Sequence, residues 1–477
     1  MLFRSSNEVI NRKRINSVYG AVNLAYENYL YLDLTARNDW SSTLAQGNNS
    51  FFYPSVSSSF IFSELIPKNR VLSYGKLRAS FAQTGTDAIS PYELKLTYGP
   101  DITIPTIGGY AIGGVAVDQV PYMKLKPSIS NAFEFGTNLA FFDSRINLDL
   151  TWYKTNTKNQ ILQAPTSTTS GYSTAIINSG NIENKGIEVT LGLKPVVSRN
   201  FNWEVNLNFA RNRNKIIKLS PLVSSYYTLA SARWANASIV AKEGERYGII
   251  VGHDFLKDSS GRMILDANNL PQYDPTDKKL GNSLYDWTGG INNRFSFKNI
   301  SFSFLLDFKQ GGNIYSMTNL LAYSTGRQKG TVKGRDGWAN SEKARVAAGV
   351  SQANWVATDG LAITGVNANG NKVSAYVNPQ TYWQRVASNV PAAFVYDASY
   401  VKVRQINLDY SMPAATLKNT PLKECTISLV ARNPFILSKH VPNIDPESSY
   451  NNSNGQGFEY GSLPTRRSYG INLYLKF

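Results

Sequence analysis

The sequence predicts an all-β protein, namely a transmembrane antiparallel β-barrel with short turns at one end and long loops at the other. The first observation is a repeated alternation of apolar and polar residues, which puts the two kinds of side chain on opposite faces of a strand. The second is that connections of a few residues alternate with connections of dozens, as in outer-membrane barrels. The third is the lack of any run of about 18 apolar residues, the length that a transmembrane helix needs.

About thirteen segments show the alternation. In the clearest hairpin, every second position is apolar from Phe133 to Phe141, except Thr137, and from Ile146 to Trp152, on either side of a turn at 142–145. The final segment, Ser468–Phe477, has about the length that a tilted strand needs to cross a bilayer. The predicted strands lie at 15–27, 28–40, 51–62, 72–84, 133–141, 146–153, 187–194, 201–209, 286–297, 299–310, 398–411, 423–433 and 467–477.

Long polar connections separate pairs of these strands. We interpret 156–184 as a loop, and we expect selectivity to depend on the lumen-facing polar residues and on loops 85–129, 213–285 and 311–397. Within 213–285 some internal structure is expected around Tyr247–Phe255. The only helical candidate is Asn340–Val350, inside the longest loop.

Composition argues against several classes of function. The net charge is +16, but the densest basic cluster, Asn11–Arg14, is short, so solvated loops and a basic lumen explain the charge better than nucleic-acid binding. The single cysteine, Cys425, excludes an internal disulfide framework. The only histidines are His253 and His440, and no motif of a hydrolase or metalloprotease is present. We therefore expect no catalytic site, no metal site and no cofactor, and the protein is not expected to be an enzyme.

Four aromatic residues of the longest loop are the candidates for contact with a substrate or partner: Trp338, Trp355, Tyr382 and Trp383. Aromatic rings can stack on sugars or contact a partner, although packing within the loop is the more common use of them. Asp445 and Glu447 lie close together in a loop that contains Pro446, and nothing in the sequence places a second acid opposite them.

The two ends of the chain carry further expectations. Phe477, the aromatic residue at the end of the last strand, is expected to act as an outer-membrane assembly signal. Met1–Ser5 lack the apolar stretch of a signal peptide, which an outer-membrane protein needs, so either the membrane interpretation is wrong or the chain lacks its true beginning.

Several stretches together resemble the SusC/RagA family of TonB-dependent outer-membrane transporters. They are Gly180–Glu188 (GNIENKGIE), Tyr396–Arg404 (YDASYVKVR) with Leu408–Pro413, Arg432–Pro434 with Asp445–Glu447, and Trp287–Gly290 with Gly311–Tyr315. The resemblance covers most of residues 15–477.

The resemblance implies a plugged barrel of about 22 strands in the outer membrane of a Gram-negative bacterium. It implies TonB-dependent, energised import of oligosaccharides or peptides, with a SusD-like surface lipoprotein as partner. Residues 1–477 would then be the C-terminal portion of the barrel, with the plug domain, the segment that contacts the TonB complex and roughly nine strands lying upstream. The alternative from another class is a soluble secreted β-rich protein that binds glycans.

Overall fold

The computed structural model describes residues 10–477 except 68, 96–97, 101–112, 116–118, 121–123, 166–171, 173, 221–222, 224, 235 and 452. The chain forms two compact units. Unit 1 comprises Met1–Pro195, Asn206–Tyr227 and Lys242–Glu245, and unit 2 comprises Val196–Val205, Thr228–Ala241 and Arg246–Phe477. Within loop 85–129, residues 96–97, 101–112, 116–118 and 121–123 lie outside the described residues.

Thirteen long strands make up the large antiparallel sheet of the described chain, as the sequence predicts. They are β1 (Ile15–Tyr26), β2 (Leu30–Ser41), β3 (Ser50–Phe60), β4 (Leu72–Thr86), β5 (Ser128–Phe141), β6 (Ile146–Lys158), β7 (Asn181–Val197), β8 (Phe201–Lys218), β9 (Trp287–Phe297), β10 (Ile300–Gln310), β11 (Tyr400–Ser411), β12 (Glu424–Lys439) and β13 (Ser468–Lys476).

In unit 1 each strand from β1 to β7 pairs with the next one along the chain. Phe135 of β5 lies opposite Trp152 of β6, which lies opposite Ile187 of β7. Residues directly opposite on neighbouring strands share a face of the sheet. These three side chains are 55%, 43% and 42% exposed, so the predicted apolar stripe forms an open apolar face.

The other face of the same strands carries a polar network. Arg78 of β4 forms an ion pair with Asp149 of β6 at 2.6 Å, and Asn138 of β5 also donates to Asp149. Gly136 makes this possible, because a Cβ there would lie only 2.6 Å from the Nε atom of Arg78. The alternation in the sequence thus separates apolar from charged side chains across the sheet, as predicted.

In unit 2 the pairs β9–β10, β10–β11, β11–β12 and β12–β13 are antiparallel. The pairing of β11 with both of its neighbours skips Arg404, which therefore lies at a β-bulge. Among the described residues, β13 has β12 as its only partner in the large sheet, and in unit 1 β1 likewise has only β2. Both of these strands are exposed along their whole length.

The long loops contain more regular structure than the sequence suggests. Four helices are present in the described chain: α1 (Met317–Ser324), α2 (Arg335–Ala347), α3 (Pro379–Asn389) and α4 (Ala414–Leu417). Only α2 overlaps the predicted candidate Asn340–Val350, so the expectation of a single helix was wrong. Ser316 and Asn378 cap α1 and α3 with side-chain oxygens, and Pro379 occupies the first turn of α3.

Loop 156–184 was also misjudged, because Ile161–Pro165 and Thr174–Asn178 form an antiparallel pair within it. The structure expected around Tyr247–Phe255 includes the strand Ile249–Gly252. The remaining short strands are Tyr98–Pro100, Gly113–Val115, Gln119–Val120, Tyr227–Ser231, Ser238–Ala241, Lys278–Asn282, Asn313–Ser316, Leu361–Val366, Lys372–Val377, Val395–Asp397 and Phe458–Glu459. Short 3₁₀ helices span Phe62–Leu65, Lys329–Thr331, Gln352–Asn354 and Pro391–Phe394.

The largest hydrophobic core of unit 2 lies among these loop elements. It joins α1, α3 and the short strands, and its fully buried members include Tyr315, Val386, Phe394 and Phe458. No helix in the described ranges is both long and apolar enough to cross a membrane. Because they share this hydrophobic core, the loops of unit 2 form a folded layer rather than irregular connections.

Candidate functional site

A cluster of charged side chains binds loop 440–467 to strands β10 and β11 in unit 2, and Glu447 is at its centre. The Nζ atom of Lys402 donates to Oε2 of Glu447 at 2.8 Å, and the Nζ atom of Lys309 donates to Oε1 at 3.1 Å. Arg404 and the hydroxyl of Tyr400 donate to Oε1 as well. One loop carboxylate thus accepts from four side chains of the two strands.

Asp445 supplies the second anchor of the same loop. It forms an ion pair with Lys402, and the two side chains are only 4% and 3% exposed. The backbone N–H and the hydroxyl of Thr465 donate to its Oδ2 atom, and the backbone N–H of Glu447 donates to Oδ1 at 3.0 Å. A buried charge is tolerated only when it is paired and hydrogen-bonded, and this pair meets both conditions.

The neighbouring strand completes the charge cluster. Asp307 of β10 is opposite Lys402 in the register, and its Oδ2 atom accepts from Nε of Arg404 at 2.7 Å. Arg404 reaches both Asp307 and Glu447 from its bulge position, which is the local reorientation of a side chain that bulges provide. The charge cluster, defined as Asp307, Lys309, Lys402, Arg404, Asp445 and Glu447, has three cations and three carboxylates and is therefore neutral.

The protonation of the two loop carboxylates follows from these contacts. Burial by itself would raise the pKa of Glu447, but the hydrogen bonds from Arg404, Lys402 and Tyr400 outweigh it and hold the pKa well below its usual range. Burial would likewise raise the pKa of Asp445, but the hydrogen bonds from Lys402 and Thr465 outweigh it and lower that pKa. Both groups are therefore anionic at neutral pH, which suits a structural anchor better than a proton-exchanging acid pair.

Helix α1 of the longest loop is attached to the same segment 440–467. Asn319, which is fully buried, donates to the carbonyl of Pro442 at 3.1 Å and accepts from Nδ2 of Asn443 at 2.8 Å. The hydroxyl of Ser316 donates to the fully buried carboxylate of Glu459 at 2.7 Å. Loop 440–467 therefore joins the strand wall of unit 2 to the helical layer above it.

The four predicted contact residues have different positions. Trp338 and Trp383 line one cavity of about 520 Å³, whereas Tyr382 and Trp355 are not among its lining residues. Tyr382 packs against two hydrophobic cores, and the indole Nε1 of Trp355 donates to the hydroxyl of Ser341 at 3.1 Å. The structure thus brings two of the four together, and whether they contact a ligand stays a prediction.

The chemistry of this aromatic cavity combines rings with amides. Its wall includes Tyr323, whose ring centroid lies 4.3 Å from that of Trp383, and the side chains of Gln380, Gln384 and Arg335. The Nε1 atom of Trp383 is buried and has no hydrogen-bond partner among the described atoms. A wall of this kind can stack on an apolar ring face and exchange hydrogen bonds with polar groups.

The charge cluster is only partly predictable from the sequence. Lys402 and Arg404, and separately Asp445 and Glu447, stand out as charges near each other, but nothing in the chain order predicts that the two pairs meet. The two histidines have different surroundings. His253 stacks on Tyr273, and Nδ1 of His440 lies 2.6 Å from Oδ2 of Asp397. Over the described ranges, no three His, Cys, Asp or Glu side chains are arranged to hold a metal ion.

Comparison with known proteins places this architecture in a family. The model of the TonB dependent receptor-like β-barrel matches residues 4–293. TonB-dependent receptor P3 of Formosa agariphila is 25% identical over 98% of the chain, and TonB-dependent receptor SusC of Bacteroides thetaiotaomicron is 22% identical over 99%. The structure of the RagAB peptide transporter superposes with a TM-score of 0.71 at 16% identity, over 98% of this chain and 48% of that one.

The chain spans about half the length of the curated relatives it matches, 46% of receptor P3 and 45% of SusC. The family match covers more than half of the chain and includes the strands of unit 1, whose faces are sorted into apolar and charged. Proteins of this family are outer-membrane β-barrel transporters of Gram-negative bacteria, and they are not a family of enzymes. The chain belongs to the TonB-dependent receptor family and is similar to a part of its β-barrel.

Proposed function

We propose that the protein is a TonB-dependent importer that takes up oligosaccharides or peptides across the bacterial outer membrane and is not an enzyme. The observation that supports this most directly is the sorting of side chains in unit 1. Phe135, Trp152 and Ile187 form an exposed apolar row, whereas Arg78 and Asp149 pair on the opposite face. A barrel wall needs an apolar face toward lipid and a polar face toward the lumen.

The likeness to SusC and to the RagAB peptide transporter supports the two substrate classes, and the mixed aromatic and amide wall at Trp338 and Trp383 is compatible with either. In this proposal a SusD-like surface lipoprotein closes the loop end of the barrel. The TonB complex supplies energy through a region upstream of residue 1. No nucleic acid takes part.

The proposal also states which part of the whole protein this chain represents. Residues 1–477 are its C-terminal barrel portion, and the plug domain and the N-terminal strands precede them. The coverage of less than half of the curated relatives supports this arrangement. Strands β1 and β13 would then gain partners from the upstream strands, which closes the wall against lipid.

Growth and uptake test the proposal with the complete gene. A deletion strain should lose uptake of one labelled oligosaccharide or peptide from a panel, and it should regain that uptake with the wild-type gene only when TonB is functional. The variant Trp338→Ala should lower uptake, whereas Trp355→Ala, outside the cavity, should not. Uptake that is independent of both the gene and TonB would overturn the proposal. Recovery of the protein in the aqueous fraction would instead favour a soluble glycan-binding protein.

A further inference from the structure

A second cavity, in unit 1, has a volume of about 580 Å³ and lies beside the short turn between β5 and β6. Its wall combines three cations, Arg70, Arg145 and Lys194, with the apolar side chains of Phe142, Ile146 and Leu193. We propose that this cavity binds an anionic phospholipid, with the phosphate held by the three cations and the acyl chains lying on the apolar row. The inference rests on the outer-membrane location in the proposed function.

The cations are available for a ligand. The side chains of Arg70, Arg145 and Lys194 form no ion pair or hydrogen bond within the described chain, whereas Arg78 pairs with a carboxylate and Arg404 pairs with two. Among the described residues of the cavity wall, Asp143 is the only carboxylate, so these residues carry three positive charges against one negative, a net charge of +2. Guanidinium groups match the geometry of phosphate oxygens, and basic pockets of this kind attract lipid head groups.

The apolar part of the cavity continues into the open apolar face of the sheet. Ile146 pairs directly with Leu193 in the register, and the next row on the same face joins Leu139, Leu148 and Leu191. Phe142 is 48% exposed at the turn itself. An acyl chain that starts at the cations would therefore run along apolar side chains, which a free phosphate ion could not use.

The cavity also lies at the appropriate depth. The turn at Phe142–Arg145 is one of the short connections, and the short turns of outer-membrane barrels face the periplasm at the edge of the bilayer. The head groups of the periplasmic leaflet lie at this level. A cation cluster directly below an apolar face therefore meets a phosphate at the boundary between lipid and water.

The test uses the full-length protein purified in a neutral detergent, and native mass spectrometry measures binding of three probes. They are phosphatidylglycerol, diacylglycerol and glycerol 3-phosphate. We expect phosphatidylglycerol to bind, and both the phosphate-free lipid and the lipid-free phosphate to bind much more weakly. The triple variant Arg70→Gln, Arg145→Gln and Lys194→Gln should lose about tenfold to a hundredfold in affinity for phosphatidylglycerol.

Two further variants separate binding from folding. Lys423→Gln removes an exposed lysine at another short connection and should leave the affinity unchanged. Asp143→Asn removes the opposing carboxylate and should increase the affinity, a gain that misfolding cannot mimic. Equal phosphatidylglycerol binding by the wild type and the triple variant would overturn the inference, as would glycerol 3-phosphate binding as tight as that of the lipid. Absence of the wild-type protein from membranes would instead count against the proposed function.

Discussion

Lys402 and Glu447 lie 45 positions apart in the chain, and the Nζ atom of one donates to Oε2 of the other at 2.8 Å. Lys402 is 3% exposed, and it also pairs with Asp445. A single buried lysine of β11 therefore holds two of the acidic residues of loop 440–467, Asp445 and Glu447, and the position of that part of the loop depends on it.

Replacing this lysine should release the loop. Lys402→Gln leaves Asp445 buried without its cation, and the loss of one partner of a buried pair costs on the order of 3–5 kcal/mol. Hydrogen exchange of the amides of 440–467 in the full-length protein should accelerate accordingly. The matched control is Lys476→Gln, because Lys476 pairs with Glu424 in an ion pair whose two side chains are 53% and 54% exposed. Equal protection of the loop in both variants would contradict the anchoring role.

Acid should release the same loop. The pKa values of Asp445 and Glu447 are lowered by their hydrogen bonds in the docked loop, whereas in a released loop they would be near their usual values of about 3.9 and 4.3. The stabilisation is therefore complete above about pH 5 and is lost as the pH falls through the lowered pKa values. After correction for the intrinsic exchange rate, the protection of the loop amides should decrease as the pH falls from about 5 to roughly 2. The reference is the hairpin formed by the strands Leu361–Val366 and Lys372–Val377. A parallel decrease in the protection of its amides would indicate general unfolding.

Gly186 should not tolerate a side chain. A Cβ at this position of β7 would lie 2.4 Å from the carbonyl oxygen of Arg211 and 2.6 Å from the hydroxyl of Tyr153. Because a backbone atom cannot move aside cheaply, Gly186→Ala should destabilise the barrel by about 1–3 kcal/mol. Gly20→Ala in β1 is the control, since a Cβ there meets nothing within 4 Å. Urea midpoints of the refolded full-length protein measure the difference, and equal midpoints would refute the steric argument.

The direction of the two faces can be tested in the middle of β7. Val189 lies opposite Leu150 and Thr190 lies opposite Asp149, so the two adjacent positions belong to the apolar and the polar face. Val189→Arg should cost about 2–4 kcal/mol because its charge would face hydrocarbon, whereas Thr190→Arg should be tolerated. The amount of heat-modifiable barrel in outer membranes is the measurement. A larger loss for Thr190→Arg would reverse the assignment of the faces.

Phe477 follows the last paired residue of β13, Lys476, and its side chain is 69% exposed. Its role as an assembly signal stays a prediction. Deletion of Phe477 in the full-length protein should lower the heat-modifiable band, and Phe477→Tyr should restore most of it because the aromatic character remains. A band of wild-type intensity after the deletion would exclude this role.

The strands were predictable because their signal is local. Alternation along β6, from Ile146 to Trp152, follows from the two faces of an extended chain and needs no knowledge of the neighbours. Of the helices in the longest loop, α2 was predicted in part, whereas α1 and α3 were missed because they are short. The apolar residues of α1 and α3 include Leu320 and Val386, which are buried against other loop elements and do not form a long helical repeat.

The sequence by itself determined the alternating strands, the short and long connections and hence the class of barrel, since each depends on residues close together in the chain. Tertiary structure alone decided which distant residues meet. The Lys402 contacts with Asp445 and Glu447, the cavity of Trp338 and Trp383, and the basic cavity at Arg70, Arg145 and Lys194 all join separated segments. The physical reason is that strand register and loop packing set these distances, and neither can be read from the order of the residues.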